Sequence, residues 1–110
     1  NLGPFLPPVA FYNRNKKILQ VLLGTTGDPH FVHKIKGIVK NTVQEIFRRE
    51  NVPPVKNMEY VVEYIASAQI GIISYWMVEK DMALPVEELG EMVKHIILHG
   101  PIEYIKTTGD

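Results

Sequence analysis

The sequence predicts an all-α domain, an antiparallel bundle of about four to five helices, on three observations. Apolar residues recur at steps of three and four through most of the chain, proline and glycine punctuate those stretches, and no segment shows sustained strand alternation between hairpin turns. The run from Tyr64 to Val78 carries no charged residue, so the helix that contains it must be covered on nearly every face. In a chain of 110 residues little protein is left to cover it, and part of its surface is expected to meet a second copy.

From Asn1 to Ala10, prolines at positions 4, 7 and 8 stand among Leu2, Phe5, Leu6 and Val9, and Pro7-Pro8 blocks a continuous helix. A short helix is expected from near Pro8 through Phe11 and Tyr12. Asn13 or Asn15 would cap a second helical stretch over Ile18 to Leu23, which Gly24 ends. Asp28-Pro29 is a strong helix start: the carboxylate accepts from a free backbone N–H, and proline at the first helical position loses nothing. The helix it opens carries Phe31, Ile35, Ile38, Val39, Val43, Ile46 and Phe47 at helical spacing and runs to about Glu50, before Asn51 and Pro53-Pro54.

Asn57 is expected to cap the next helix, with Glu59 suited to its first turn, and the helix to reach about Asp81. Its predicted buried face is Val61, Tyr64, Ile65, Ala68, Ile72, Tyr75 and Trp76, with Ile73 and Met77 one step round. Ser67, Gly71 and Ser74 form a strip of small residues that a second helix can approach, and since glycine inside a helix costs about 1 kcal/mol relative to alanine, a packing role is expected. Pro85 starts the last long helix, with Glu87 and Glu88 in its first turn and Val86, Leu89, Val93, Ile96 and Ile97 as its apolar stripe. Gly100-Pro101 ends it, and a final turn carries Ile102, Tyr104 and Ile105.

Twelve basic residues balance twelve acidic ones, so no net field draws this segment to nucleic acid or an anionic membrane. The chain has no cysteine, which removes disulfides, thiolate metal sites and cysteine nucleophiles and fits the cytoplasm. The uncharged run falls short of the roughly 18 to 20 apolar residues that a bilayer demands, and it contains Gln69 and two serines, so it reads as a core helix rather than a membrane span. A start at Asn1 without a signal pattern reads as a piece of a longer protein.

The stretch Ala66-Ser67-Ala68-Gln69-Ile70-Gly71-Ile72-Ile73-Ser74-Tyr75-Trp76-Met77, then Leu84-Pro85-Val86-Glu87-Glu88-Leu89-Gly90, then His99-Gly100-Pro101, resembles the C-terminal region of TetR-type transcriptional regulators. The likeness is best from about Tyr60 to Ile105; over the first half the helices agree in order only. It implies a single regulatory domain over residues 1–110 whose last two long helices, about Asn57 to Asp81 and Pro85 to His99, pair with those of a second subunit as a four-helix bundle. The preceding helices would enclose an effector pocket. The family's N-terminal helix-turn-helix domain has no counterpart in this chain, so operator DNA would be reached only through that absent part.

On this reading Ile72, Tyr75, Trp76, Leu89, Val93, Ile96 and Ile97 form the seam of a homodimer. Phe11, Tyr12, Phe31, Ile35, Phe47, Tyr60 and Tyr64 line a pocket for a small apolar effector, with the tyrosine hydroxyls and Gln69 as orienting groups. A protein co-regulator is a further possible partner, because part of the family works that way. The alternative is a stand-alone helical adaptor without a ligand.

Two histidine pairs, His30 with His33 and His95 with His99, have the spacing that puts two imidazoles on one helix face. Carboxylates are too sparse near either pair to complete a site, so no metal and no cofactor is expected. Ser67 and Ser74 lie in the apolar helix without a histidine or aspartate at a motif spacing. With no phosphate loop and no His-Glu-x-x-His helix either, the chain is not expected to be an enzyme.

Overall fold

A computed structural model describes residues 9–24 and 27–108, and within them five α-helices follow one another with no strand. They are α1 (Val9–Leu23), α2 (Pro29–Arg49), α3 (Met58–Ser74), α4 (Val86–His99) and α5 (Pro101–Thr108), with a π-helical turn at Tyr75–Glu79 extending α3. The proline-rich lead of residues 1–8 lies outside the described residues. The all-α class holds.

The first element departs from its sequence reading. α1 is one continuous helix: Asn15 caps nothing, and its side-chain amide donates to the Phe11 carbonyl one turn back, at 2.8 Å. α2 starts as Asp28-Pro29 predicts, with the Asp28 carboxylate accepting from the His30 N–H at 2.9 Å. It ends on Arg48 and Arg49, cations at the negative end of the helix dipole.

α3 is rotated from its expected register. Val62, Ala66, Gln69 and Ile70 are buried, while Val61, Tyr64, Ala68 and Tyr75 face outward. The cause is the one strongly charged side chain inside the helix body. Glu63 accepts hydrogen bonds from Lys36 (2.9 Å) and Ser67 (2.9 Å) and is ion-paired with Lys40, which turns this edge of α3 toward α2. Asn57 adopts a left-handed conformation (φ 61°) and makes no side-chain cap, against expectation.

Met58–Glu79 is 22 residues long with mean hydropathy 1.3, long and apolar enough by length and composition to cross a bilayer. Its interior holds the paired Glu63 and the buried Gln69, and its end is part of the protein core. Of its most apolar stretch 28% is buried within the single chain, and the rest is open.

At the end of α3 the ladder widens. The Lys80 N–H reaches the Tyr75 carbonyl five residues back at 3.1 Å, and Met82 N–H reaches the Trp76 carbonyl at 2.8 Å. Asp81 and Met82 then take positive φ (48° and 59°), which reverses the chain. The buried cluster lies here: Tyr12, Trp76, Met77, Val86, Leu89 and Val93, flanked by Leu19, Leu23, Ile72 and Ile73. The Trp76 indole N–H donates to the Leu84 carbonyl at 2.7 Å, so its one polar atom is satisfied.

Gln20 straps α1 to the π-helical turn, donating to the Met77 carbonyl at 2.7 Å and to Asp81 at 2.8 Å, while Lys16 pairs with Asp81 at 3.1 Å. The Gln20 hydrogen bond and then the Lys16 charge hold the Asp81 carboxyl below the usual range. α4 stops at Gly100, whose φ 86° and ψ 154° suit glycine and whose N–H closes the helix on Ile96 at 2.7 Å.

Candidate functional site

Two features of the surface and interior could carry function. The first is the outward face of α3. Tyr60, Tyr64, Ala68, Gly71 and Tyr75 follow one another at steps of four, four, three and four, so they share one side of the helix. None is charged, and the three tyrosines are 71%, 67% and 53% exposed. A methyl group built on Gly71 would meet nothing within 4 Å, so the middle of this face is open. It continues into an apolar groove of about 490 Å³ bounded by Ile72, Tyr75, Leu84, Leu89 and Met92, with Lys80 at the edge and its ammonium 5.6 Å from the Tyr75 ring centre.

The second feature is a small cavity of about 160 Å³ where the end of α2 meets α3 and α4. Val43, Ile46 and Phe47 of α2, Ile65 of α3 and Ile97 of α4 give it apolar walls, and Val52 and Glu50 lie at its α2 end. Gln69 also lines it. This side chain is only 6% exposed, and its amide makes no hydrogen bond with any described group.

The residues expected to line a pocket are not gathered around one space. Tyr12 is inside the core, its ring edge-on to Trp76, and Phe11 stands edge-on to Tyr12 at 5.5 Å with much of its surface exposed. Phe31 and Ile35 are half-buried along α2, and Tyr60 and Tyr64 point outward. Of the seven, Phe47 alone lines the α2–α3–α4 cavity. Tyr60 and Tyr64 instead join Tyr75 on the open face, because the rotation of α3 carries them there.

The seam residues divide in the same way. Trp76, Leu89 and Val93 are buried within their own chain, and Trp76 and Leu89 form part of the wall of the apolar groove beside Tyr75. Ile72 and Ile97 are partly buried against the core cluster, Ile96 is half-buried, and Tyr75 is exposed. The open face was legible as a spacing, since Tyr60, Tyr64, Ala68, Gly71 and Tyr75 recur at helical steps. The cavity was legible only in Gln69, the one strongly polar side chain in the uncharged run.

His30 and His33 are both exposed on the first turn of α2. His95 and His99 pack as a T-shaped pair with centroids 4.8 Å apart, and Tyr104 of α5 stands edge-on to His95 at 5.4 Å, so these rings serve to seat α5 on α4. Among the described residues no three histidine, aspartate or glutamate side chains are grouped as metal ligands.

Residues 7–99 match a family model described as a transcriptional regulator C-terminal region. No curated protein and no solved structure matches the chain.

Proposed function

The chain belongs to the TetR family of transcriptional regulators, as a C-terminal region, and from that premise we propose that it is the homodimerising, effector-responsive domain of a cytoplasmic bacterial regulator. In this reading DNA is contacted by helix-turn-helix heads N-terminal to this domain. The domain sets their separation, and only an effector that binds two geometries with different affinity switches them.

The observation that carries the reading is the uncharged outer face of α3. A solvated helix face normally holds charged residues, whereas this one presents three tyrosines around Ala68 and Gly71. Small residues in the middle let two helices approach closely, and tyrosines at either end bury large rings at low entropic cost. The seam therefore runs along Tyr60, Tyr64, Ala68, Gly71 and Tyr75 and takes in Ile72 and Met92 of the adjoining groove. Trp76, Leu89 and Val93 support it from behind.

Sedimentation velocity tests this. The chain should sediment near twice its 12.5 kDa mass, and Ala68→Glu should sediment as a folded monomer, since position 68 is exposed within one chain. A wild-type monomer at about 100 μM, a concentration well above that at which specific interfaces form, would overturn the proposal.

A further inference from the structure

We propose that the α2–α3–α4 cavity is a binding site for a neutral, ring-sized molecule carrying one hydroxyl, of which phenol is the simplest example. Its size is the first argument. Apolar cavities of about 150 Å³ hold one benzene-sized molecule, and this one measures about 160 Å³. Its walls of valine, isoleucine and phenylalanine gain contacts from such a ring.

Gln69 supplies the second, independent argument. The residue as a whole is 6% exposed, it lines the cavity, and its amide has no partner among the described groups. Buried amides are normally hydrogen-bonded, so one left open toward a cavity marks the place where a ligand group completes it. A primary amide offers one acceptor and two donors, which a hydroxyl matches by donating and accepting at once. Benzene would fill the space and leave the amide unpaired.

Charge narrows the class further. Among the described residues Glu50 is the only charged side chain on the lining, and no lysine, arginine or histidine shares it. A carboxylate or phosphate ligand would enter beside an anion with no cation to receive it, so the occupant is neutral. Gln69 follows Ala68 in α3, so the amide and the proposed seam are carried by adjacent residues of one helix. Any regulatory consequence rests on the dimer reading; binding itself does not.

The test is a ¹H–¹⁵N correlation titration of the full 110-residue chain with phenol, benzene and benzoate, run beside sedimentation on the same samples. Phenol should shift the amides of Val43, Phe47, Gln69 and Ile97 saturably, and benzoate should bind at least about tenfold more weakly. Gln69→Leu should weaken phenol about tenfold and bring it level with benzene, as expected when a site built to hydrogen-bond loses its partner. Val43→Phe, which fills the space and keeps Gln69, should abolish both. Unsaturable shifts with phenol, or phenol binding indifferent to both variants, would overturn the proposal even where sedimentation shows a dimer. A monomer that still binds phenol through Gln69 would retain the site and remove the dimer.

Discussion

Tyr12 stands edge-on to Trp76, with ring centroids 5.1 Å apart and planes at 89°. This pair joins α1 to the π-helical turn at the centre of the core, and its two polar atoms fare differently. The indole N–H has the Leu84 carbonyl; the Tyr12 hydroxyl, also buried, has no partner. Burial accordingly pushes the Tyr12 phenol well above its usual range.

Tyr12→Phe is therefore expected to stabilise the domain by about 1 kcal/mol, because it keeps the ring pair and removes an unsatisfied buried group. Trp76→Phe should destabilise it by about 2 kcal/mol or more through lost volume and a lost hydrogen bond. Urea denaturation at neutral pH measures both. A lower midpoint for Tyr12→Phe would mean that the hydroxyl finds a partner in solution.

Glu63 gives the fold an acid-sensitive contact. Hydrogen bonds from Lys40, Lys36 and Ser67 lower its pKa from 4.5 to about 2. A carboxyl depressed in the folded state contributes stability that is present above about pH 4.5 and lost as the pH falls toward 2. The thermal midpoint should fall across that window, and Glu63→Gln should flatten the fall while leaving the curve above pH 6 nearly level. High salt should shrink the effect, since the group is half-exposed. Identical acid profiles for the two proteins would remove Glu63 from this role.

Gly71→Ala separates the single chain from the pair. Within one chain the new methyl meets nothing, so helix propensity alone should stabilise the fold by about 0.5–1 kcal/mol. In a dimer with helices crossing at this glycine the same methyl keeps them apart. Melting as a function of concentration should show the variant above wild type at high dilution and below it when concentrated. No reversal of order would place the crossing elsewhere.

Gly100→Ala should destabilise the domain by about 1–3 kcal/mol, since a φ of 86° with ψ of 154° is a region nearly reserved for glycine. The His95–Tyr104 contact depends on this corner. Chemical denaturation measures the loss, and the His95 ring resonances report whether α5 stays seated. An unchanged midpoint would show that the corner relaxes freely.

Helix ends were legible where the chain carries its own punctuation. Asp28-Pro29 and Gly100-Pro101 act through local geometry, and the structure places boundaries at both. The register of α3 was not, because periodicity needs contrast and the run from Tyr64 to Val78 has no charged side to mark the outside. What fixes its rotation is Glu63 meeting Lys36 and Lys40, a pairing between distant parts of the chain. The cavity shares that difficulty: Val43 and Phe47 look like ordinary core, and only their placement opposite Ile65 and Gln69 leaves a space between them.

The π-helical turn at Tyr75–Glu79 amounts to one extra residue threaded into an otherwise regular screw. Remove any one residue there and the ladder regains its ordinary pitch, while everything that follows is turned by about 100°. Val86, Leu89 and Val93 would swing away from Tyr12, and the left-handed pair at Asp81 and Met82 leaves little slack to turn them back. The chain should thus accept changes of length between Asn51 and Asn57, where the residues are exposed, and reject even a single-codon deletion here. Across natural variants, this turn should behave as a fixed point in length while its neighbours drift.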